Sequence, residues 1–430
     1  METYKNKEEY LNTLKKNARL PEGFRAASIS ITFFPEERPV QIPLPMNLSL
    51  LLLDEPSGSF GGMYTRNAFP GVPVIVGKNR LSGQFIRAVI VNNKIANVCT
   101  PGGMEDAVSI VESLAKLLDC PPEEIIPSST GIIGWKLPAE DIKKNLPSLV
   151  EAIKTCKDSD SVFSFAQGIM TTDLYPKIRT AKVGSGSIVG VAKGAGMIEP
   201  NMATMLAFIT TDVKIERWTL RKVLADVVER TFNRISVDGD QSTSDTVLLI
   251  SSGKKKAVEE EVFQEALYSV CYALAEDIVR NGEGATHIIK VQIGGASSYE
   301  IARGAGKAII NSPLVKTAIF GNDPNVGRIV SSLGDYMGNN GFFIDPGKMT
   351  VHLGEEEVFS GGVFQLDPEK EKRLSGYLRD AIFDSETYDF PVHNKTVDIK
   401  IDLAQGDFSA EVMGTDLSYK YIRDNATYIS

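Results

Sequence analysis

The sequence predicts a mixed α/β protein, and three observations carry that prediction. Strand-like and helix-like segments alternate along the 430 residues. Hydrophobic residues make up 43% of the chain, which at this length can bury the core of two domains or of one large layered domain. Neither an internal repeat nor a low-complexity linker interrupts the alternation.

The strand candidates are rich in Val, Ile and Thr and are bounded by Gly, Asn or Asp. They are Pro73 to Gly77, Ile86 to Val91, Ser187 to Gly194, Leu206 to Val213, Thr246 to Ser251 and His287 to Ile293. Helices are expected where apolar residues recur at three and four. Glu105 to Leu118 carries Val108, Val111, Leu114 and Leu117, and Thr219 to Phe232 carries Leu220, Val223, Leu224 and Val227. A third stripe, Phe263, Leu267, Val270, Leu274 and Ile278, stops at Gly282. The polar stretch from Lys154 to Val162 reads as a surface loop.

A net charge of -9 works against binding a phosphate backbone, so no nucleic-acid partner is expected. Lys254 to Lys256 reads as a solvated turn. The longest purely aliphatic run, Leu50 to Leu53, is far too short to cross a bilayer, and the charged N-terminus is no secretory signal. Cys99, Cys120, Cys156 and Cys271 form no CxxC pair, as a reducing compartment tolerates, and the cytoplasm is the expected location.

Familiar catalytic signatures are missing. There is no GxSxG elbow, and His287, His352 and His393 have no paired Ser or Cys motif. No HxxxH or HExxH exists, and Asp238 and Asp240 read as turn formers, so no metal is expected. The glycines of "GSGSIVG" and "GAGK" miss the phosphate-loop spacings and read as turn and packing residues. What remains is "KGAGMIEPNMATML", Lys193 to Leu206.

A threonine hydroxyl needs a base, and a threonine at a chain terminus carries its own α-amine. With a reference pKa of ~7.7 to 8.0, that amine is partly neutral at physiological pH. To expose it, the Thr204 hydroxyl would attack the Ala203 carbonyl in an N-to-O acyl shift followed by hydrolysis. Gly194, Gly196 and Pro200 could hold that carbonyl in a strained conformation. Such chemistry needs oxyanion donors, and the polar turn Ser128 to Gly134 offers the Thr130 hydroxyl and the unobstructed Gly131 N–H.

These segments together resemble the ornithine acetyltransferase family, also called bifunctional glutamate N-acetyltransferase, of the N-terminal-nucleophile type. The resemblance runs through "GFRAA", "STGIIG", "IMTTDLYPK", "KGAGMIEPNMATML", "SVDGDQSTSDTVLL", "NGEGATH", "NSPLVKTAIFGNDPNVGR" and "NATYIS". It implies an αββα-type sandwich like that of the DmpA-like aminopeptidases. It also implies self-cleavage between Ala203 and Thr204 into chains of residues 1–203 and 204–430, paired as an α2β2 heterotetramer. The implied reaction is ping-pong: Thr204 takes the acetyl group of N2-acetylornithine and passes it to glutamate, in arginine biosynthesis. No cofactor is implied, although acetyl-CoA serves as a second acetyl donor in bifunctional members. Carried over by position, the oxyanion donors are Thr130 and Gly131. The substrate contacts are Thr171, Lys193, Thr204, Glu283, Asn425 and Ser430.

The chain departs from the family pattern at Lys94, Ile95 and Pro101 in "NNKIANVCTPG", at Val326 where a tryptophan is customary, and at Thr427 where an acidic residue is usual. Two other classes stay open on the same residues. One is an amidohydrolase or aminopeptidase in which water reaches the acyl-enzyme, or a transferase for a different amino acid. The other is a catalytically silent assembly protein.

Overall fold

The structure is a computed structural model that describes residues 4–40, 42–156, 158–199, 205–383 and 388–427, with backbone only at 158 and 159. In chain order its first elements are α1 (Lys7–Asn17), β1 (Phe24–Phe33), β2 (Leu44–Ser57), β3 (Phe60–Tyr64), α2 (Val72–Arg80), β4 (Ile86–Asn92), α3 (Gly103–Leu118), β5 (Ile125–Ser129), α4 (Ala139–Thr155) and α5 (Asp158–Gly168). Next come β6 (Lys177–Val183), β7 (Gly186–Lys193), β8 (Leu206–Val213), α6 (Arg217–Arg230), β9 (Ile235–Ser236), β10 (Thr246–Lys255) and α7 (Glu260–Arg280). The last are β11 (Ile288–Ala296), α8 (Tyr299–Asn311), α9 (Pro313–Phe320), α10 (Val326–Asn339), β12 (Thr350–Leu353), β13 (Glu356–Ser360), β14 (Val363–Phe364), α11 (Pro368–Asp380), β15 (Val397–Asp402), β16 (Phe408–Thr415) and α12 (Tyr419–Ala426).

The chain divides into two compact units. The first, Glu8–Asn233 with Asp240–Ile278, holds a four-stranded sheet ordered β1-β2-β4-β5 and a five-stranded sheet ordered β3-β10-β8-β7-β6. Alternation of side chains gives each sheet two apolar faces. From β1, β2 and β4, Ala27, Leu48, Leu50, Leu52 and Ile90 pack under Ile110, Leu114, Leu146 and Leu149 of α3 and α4. On the opposite face Ala26, Leu51, Leu53 and Val89 meet Val189, Val191, Phe208 and Leu248 of the second sheet, with Phe165 and Ile169 of α5 in the same core. The outer face of the second sheet lies under α6 and α7: Gly190 leaves room for Leu274 and Val270, and Gly61 for Leu220 and Arg221. The layers therefore run α, β, β, α, the sandwich expected from the resemblance. A bidentate Arg179–Asp277 pair, at 2.6 and 2.5 Å, ties β6 to α7.

The second unit, Met1–Lys7, Arg234–Gly239 and Val279–Ile429, is built on a seven-stranded sheet ordered β14-β13-β12-β15-β11-β16-β9. Val291, Ile293, Ile399, Ile401 and Val412 of that sheet share one core with Ala302, Ala305 and Ile309 of α8, Ile329 and Leu333 of α10 and Leu378 of α11. Its helices start where a polar side chain accepts the N–H three residues on: Ser298, Ser312, Asn325, Asp367 and Ser418 cap α8 to α12 in turn.

Leu206–Val213 is a strand with the expected bounds, and the other expected strands match to within a few residues except one. Residues 73 to 77 belong to helix α2. A five-residue apolar run completes neither period, and here Gly71 is the cap and Pro73 sits in the first turn, where its missing N–H costs nothing. The expected loop from Lys154 to Val162 is mostly helical, the end of α4 and the start of α5. Strand β10 runs on through Lys254 and Lys255, and the Lys255 ammonium bonds to Glu22, so those lysines end a strand.

Candidate active site

Strands β4 and β5 are parallel neighbours, with Asn92 opposite Ser129, and their carboxyl ends carry the expected oxyanion turn. Asn92 fixes it: its carboxamide oxygen accepts the Ser129 hydroxyl at 2.5 Å, its amide donates to the Ile95 carbonyl at 2.7 Å, and its backbone carbonyl accepts the Thr130 N–H at 3.1 Å. Ile132 then donates to the Lys94 carbonyl at 3.0 Å and Ala96 to the Ile132 carbonyl at 2.9 Å. Between these bonds Gly131 takes φ +122, and an added Cβ would lie 2.3 Å from the Lys94 carbonyl carbon and oxygen. Only glycine fits. Among the described residues the Gly131 N–H meets no backbone acceptor, as a donor kept for a ligand should. Gly131→Ala is expected to lower stability by about 1–3 kcal/mol through strain, read by thermal melting, and to displace that N–H. An unchanged Tm would contradict the tightness of this turn.

Thr171 and Lys193 are brought together. Lys193 closes β7 opposite Leu206 of β8, and its ammonium donates to the Thr171 hydroxyl at 3.3 Å. The organiser is a residue that the sequence reading passed over, Asp173. Its carboxylate accepts the Thr171 N–H at 3.0 Å, the Gly194 N–H at 2.8 Å and the Lys177 ammonium at 2.5 Å. The Asp173 and Lys177 side chains have no exposure at all. Burial pushes the Asp173 carboxyl up, but Lys177, Lys193 and the Gly194 N–H together outweigh it and hold its pKa below the ordinary value. The Asn93 amide, next in chain to Lys94 of the Gly131 turn, donates to the Met170 carbonyl at 2.7 Å and so fastens the Thr171 segment to that turn.

In the second unit Glu283 and Asn425 are also partners: the Asn425 amide donates to the Glu283 carboxylate at 3.1 Å and to the Tyr421 carbonyl at 3.0 Å. The loop after α7 is pinned to α12, with the Ser418 hydroxyl donating to the Gly284 carbonyl at 2.6 Å. Gly284 has φ +65, and a Cβ there would lie 2.3 Å from the Tyr421 nitrogen. Ala203, Thr204 and Ser430 lie outside the described residues.

The departures from the family pattern are accommodated. Lys94 contributes its backbone carbonyl to the Gly131 turn, Ile95 is fully buried, Val326 is a core residue starting α10, and the Thr427 hydroxyl donates to the Arg423 carbonyl. His287 is buried against Asp416 at 2.9 Å and the Leu378 carbonyl at 3.1 Å. Among the described residues no three His, Cys, Asp or Glu side chains gather as metal ligands, and no helix is long and apolar enough to cross a membrane.

An αββα sandwich that presents an N–H with no backbone acceptor among the described residues, a hydroxyl and an ammonium has the groups that acyl chemistry requires, a donor for an oxyanion and a cation for an anionic substrate. A sequence profile described as the ArgJ family matches residues 43–430. The chain is 38% identical over 371 residues to the Arginine biosynthesis bifunctional protein ArgJ 2 of Clostridium acetobutylicum, covering 86% of this chain and 90% of that one. It is 38% identical over 388 residues to the Glutamate N-acetyltransferase of Methanopyrus kandleri, covering 88% and 94%. Among solved structures, an Arginine biosynthesis bifunctional protein ArgJ from Bacillus halodurans is 33% identical, covering 51% of this chain and 98% of that one, with a TM-score of 0.45. The chain belongs to the ArgJ family.

Proposed function

We propose that this protein is a glutamate N-acetyltransferase of arginine biosynthesis, moving the acetyl group of N2-acetylornithine to glutamate. The observation that carries the reading is the 38% identity to a Glutamate N-acetyltransferase along 88% of the chain. On this reading the chain cuts itself between Ala203 and Thr204, giving pieces 1–203 and 204–430 that work in the cytoplasm as an α2β2 assembly. The new Thr204 amine takes the Thr204 hydroxyl proton while Oγ1 bonds to the acetyl carbon. The Thr130 hydroxyl and Gly131 N–H bond the oxyanion, and ornithine leaves with the proton. The glutamate amine then attacks the acetyl ester and restores the hydroxyl.

N2-acetylornithine carries a carboxylate and a distal ammonium, so a cation suits one end and an anion the other. Lys193, held by Thr171, takes the carboxylate or tunes the Thr204 amine, and Glu283, held by Asn425, takes the ammonium. Asn425 and Ser430 complete the substrate contacts. Glu283→Gln is expected to raise the KM for N2-acetylornithine about tenfold or more, the loss of one charge-assisted bond. Unchanged kinetics would remove Glu283 from this role.

The reading is tested by intact mass and by product analysis. A chain cut before Thr204 that transfers acetyl from N2-acetylornithine only when glutamate is present supports it. Release of free acetate without glutamate favours the hydrolase, and a chain that stays whole on prolonged incubation overturns the mechanism. Acetyl-CoA as alternative donor separates a bifunctional enzyme from a monofunctional one.

A further inference from the structure

The carboxyl end of β4 carries two consecutive asparagines to which the reaction above gives no part, and each joins two segments of the sandwich unit. Successive side chains of a strand point to opposite faces, so Asn92 lies on the face of Ala88 and Ile90, under α3 and α4. The next residue, Asn93, reaches the other way, to the segment that follows Ile169. The amide partners of Asn92 are the Ser129 hydroxyl at the end of β5, donating at 2.5 Å, and the Ile95 carbonyl in the loop after β4, accepting at 2.7 Å. Those of Asn93 are the Asn47 N–H of β2 and the Met170 carbonyl beyond α5, both at 2.7 Å. A buried amide needs partners for its polar atoms, and one segment could supply them. Partners on two segments also fix the spacing between those segments.

For Asn92 the two segments are the ones that close on Gly131. The Thr130 N–H donates to the Asn92 carbonyl at 3.1 Å and the Ile132 N–H to the Lys94 carbonyl at 3.0 Å, so the Gly131 N–H is aimed by bonds on either side of it. The Lys94 carbonyl oxygen stands 2.3 Å from the place a Gly131 Cβ would take, which leaves the two segments no slack. For Asn93 the segment tied down leads directly into Thr171. The Thr171 hydroxyl accepts the Lys193 ammonium and its N–H is held by Asp173.

We propose that Asn92 and Asn93 are positioning residues with separate duties, a division that rests on the acetyl transfer described above. Asn92 places the Gly131 N–H for the oxyanion, and Asn93 places the Thr171–Lys193 pair for the substrate carboxylate. Neither touches substrate. An oxyanion donor works at roughly 2.7–3.1 Å from the developing charge, and a misplacement of about 1 Å costs on the order of 10²-fold in rate. Both half-reactions form an oxyanion at the same donors, so loosening Asn92 slows both alike, which lowers kcat and leaves KM in place. Loosening Asn93 weakens the hold on ground state and transition state equally, which raises KM and leaves kcat in place.

The test is steady-state transfer from N2-acetylornithine to glutamate, with kcat expressed per chain cut before Thr204 as counted by intact mass, and with the Tm of each variant. Asn92→Ala is expected to lose about 10²-fold in kcat with KM within about threefold of wild type. Asn93→Ala is expected to raise the KM for N2-acetylornithine about fivefold or more with kcat within about threefold of wild type. A residue that only stabilises the fold would lower Tm without separating the two constants. Asn92→Ala at wild-type kcat, Asn93→Ala at wild-type KM, or one shared pattern in both variants overturns the division and leaves the acetyl transfer standing. A wild type that transfers no acetyl group overturns both. Should Asn92→Ala fail to fold or to be cut, Ser129→Ala decides, since it removes only the donor to the Asn92 amide: kcat is expected to fall about fivefold at constant KM, and an unchanged kcat overturns the role of Asn92. Should Asn93→Ala fail to fold, Asn93→Asp decides, since it keeps the bond from Asn47 and loses the one to Met170: KM is expected to rise, and an unchanged KM overturns the role of Asn93.

Discussion

Thr204→Ala is expected to yield a chain that keeps its full-length mass indefinitely and transfers no acetyl group. On the proposed mechanism the substitution removes the attacking hydroxyl from two reactions at once, the cut and the acetyl transfer. In a hydroxyl-nucleophile enzyme, loss of the nucleophile costs of the order of 10⁶ in kcat. Thr204→Ser keeps a hydroxyl and is expected to be cut and to retain measurable transfer. Intact mass and an acetyl-transfer assay on the three chains check both statements. Cutting at the same bond in Thr204→Ala would mean that another group attacks, and the assignment of Thr204 would be lost.

Asp173→Asn is expected to be the most destabilising single change near the site, by about 3–5 kcal/mol. It takes the carboxylate partner from the buried Lys177 ammonium, and breaking a buried ion pair by removing one member costs far more than the pair contributes. Chemical denaturation at pH 7 measures it. The difference should depend on pH in one direction only. The pKa of Asp173 is held below the ordinary value, so its stabilising effect is complete above the unfolded carboxyl value near ~3.9 and is lost as pH falls through the folded one. Wild type and variant are therefore expected to differ fully at neutral pH and to converge in acid below about pH 4. The variant should also lose transfer activity, because the same carboxylate holds the Thr171 and Gly194 N–H groups. A difference under about 1 kcal/mol at pH 7 would contradict the pairing.

The sandwich was legible because its strands and helices are long enough to repeat their period. The Leu206–Val213 strand and the stripe of α7 declare themselves over eight or more residues. Short or polar stretches did not. The start of α5 is written in Asp and Ser, and the apolar face that makes it helical, Val162, Phe163, Phe165, Ala166 and Ile169, begins where the expected loop ends. The glycines read as packing residues do serve that purpose: Gly304 sits in α8 against the Tyr336 hydroxyl, and Gly306 against Val412. Of the candidate site, Thr130, Gly131, Thr171 and Lys193 were named from motifs, but Asn92, Asn93, Asp173 and Lys177 were not. Asp173 and Lys177 lie inside "IMTTDLYPK", at a four-residue spacing that an exposed ion pair would share, so nothing in the letters reports their burial. Asn92 and Asn93 open "NNKIAN", where a polar pair suggests a turn in solvent, and only the approach of Ser129 and Met170 from elsewhere in the chain makes them anchors.

The pairing of Lys193 with Leu206 has a consequence for the life of the protein after the proposed cut. The broken bond would lie in the link between β7 and β8, two neighbouring strands inside the five-stranded sheet, so cutting it would free two ends without separating two bodies. Before the cut, that sheet forms from one molecule, and its assembly is independent of dilution. Afterwards the same sheet is a complex of two polypeptides, and once unfolded they would have to find each other again. The cut would thus make the order of events matter: a chain that folds first and cleaves second keeps a partner at the effective concentration of a closed loop, whereas unfolded pieces must meet at whatever concentration the solution provides.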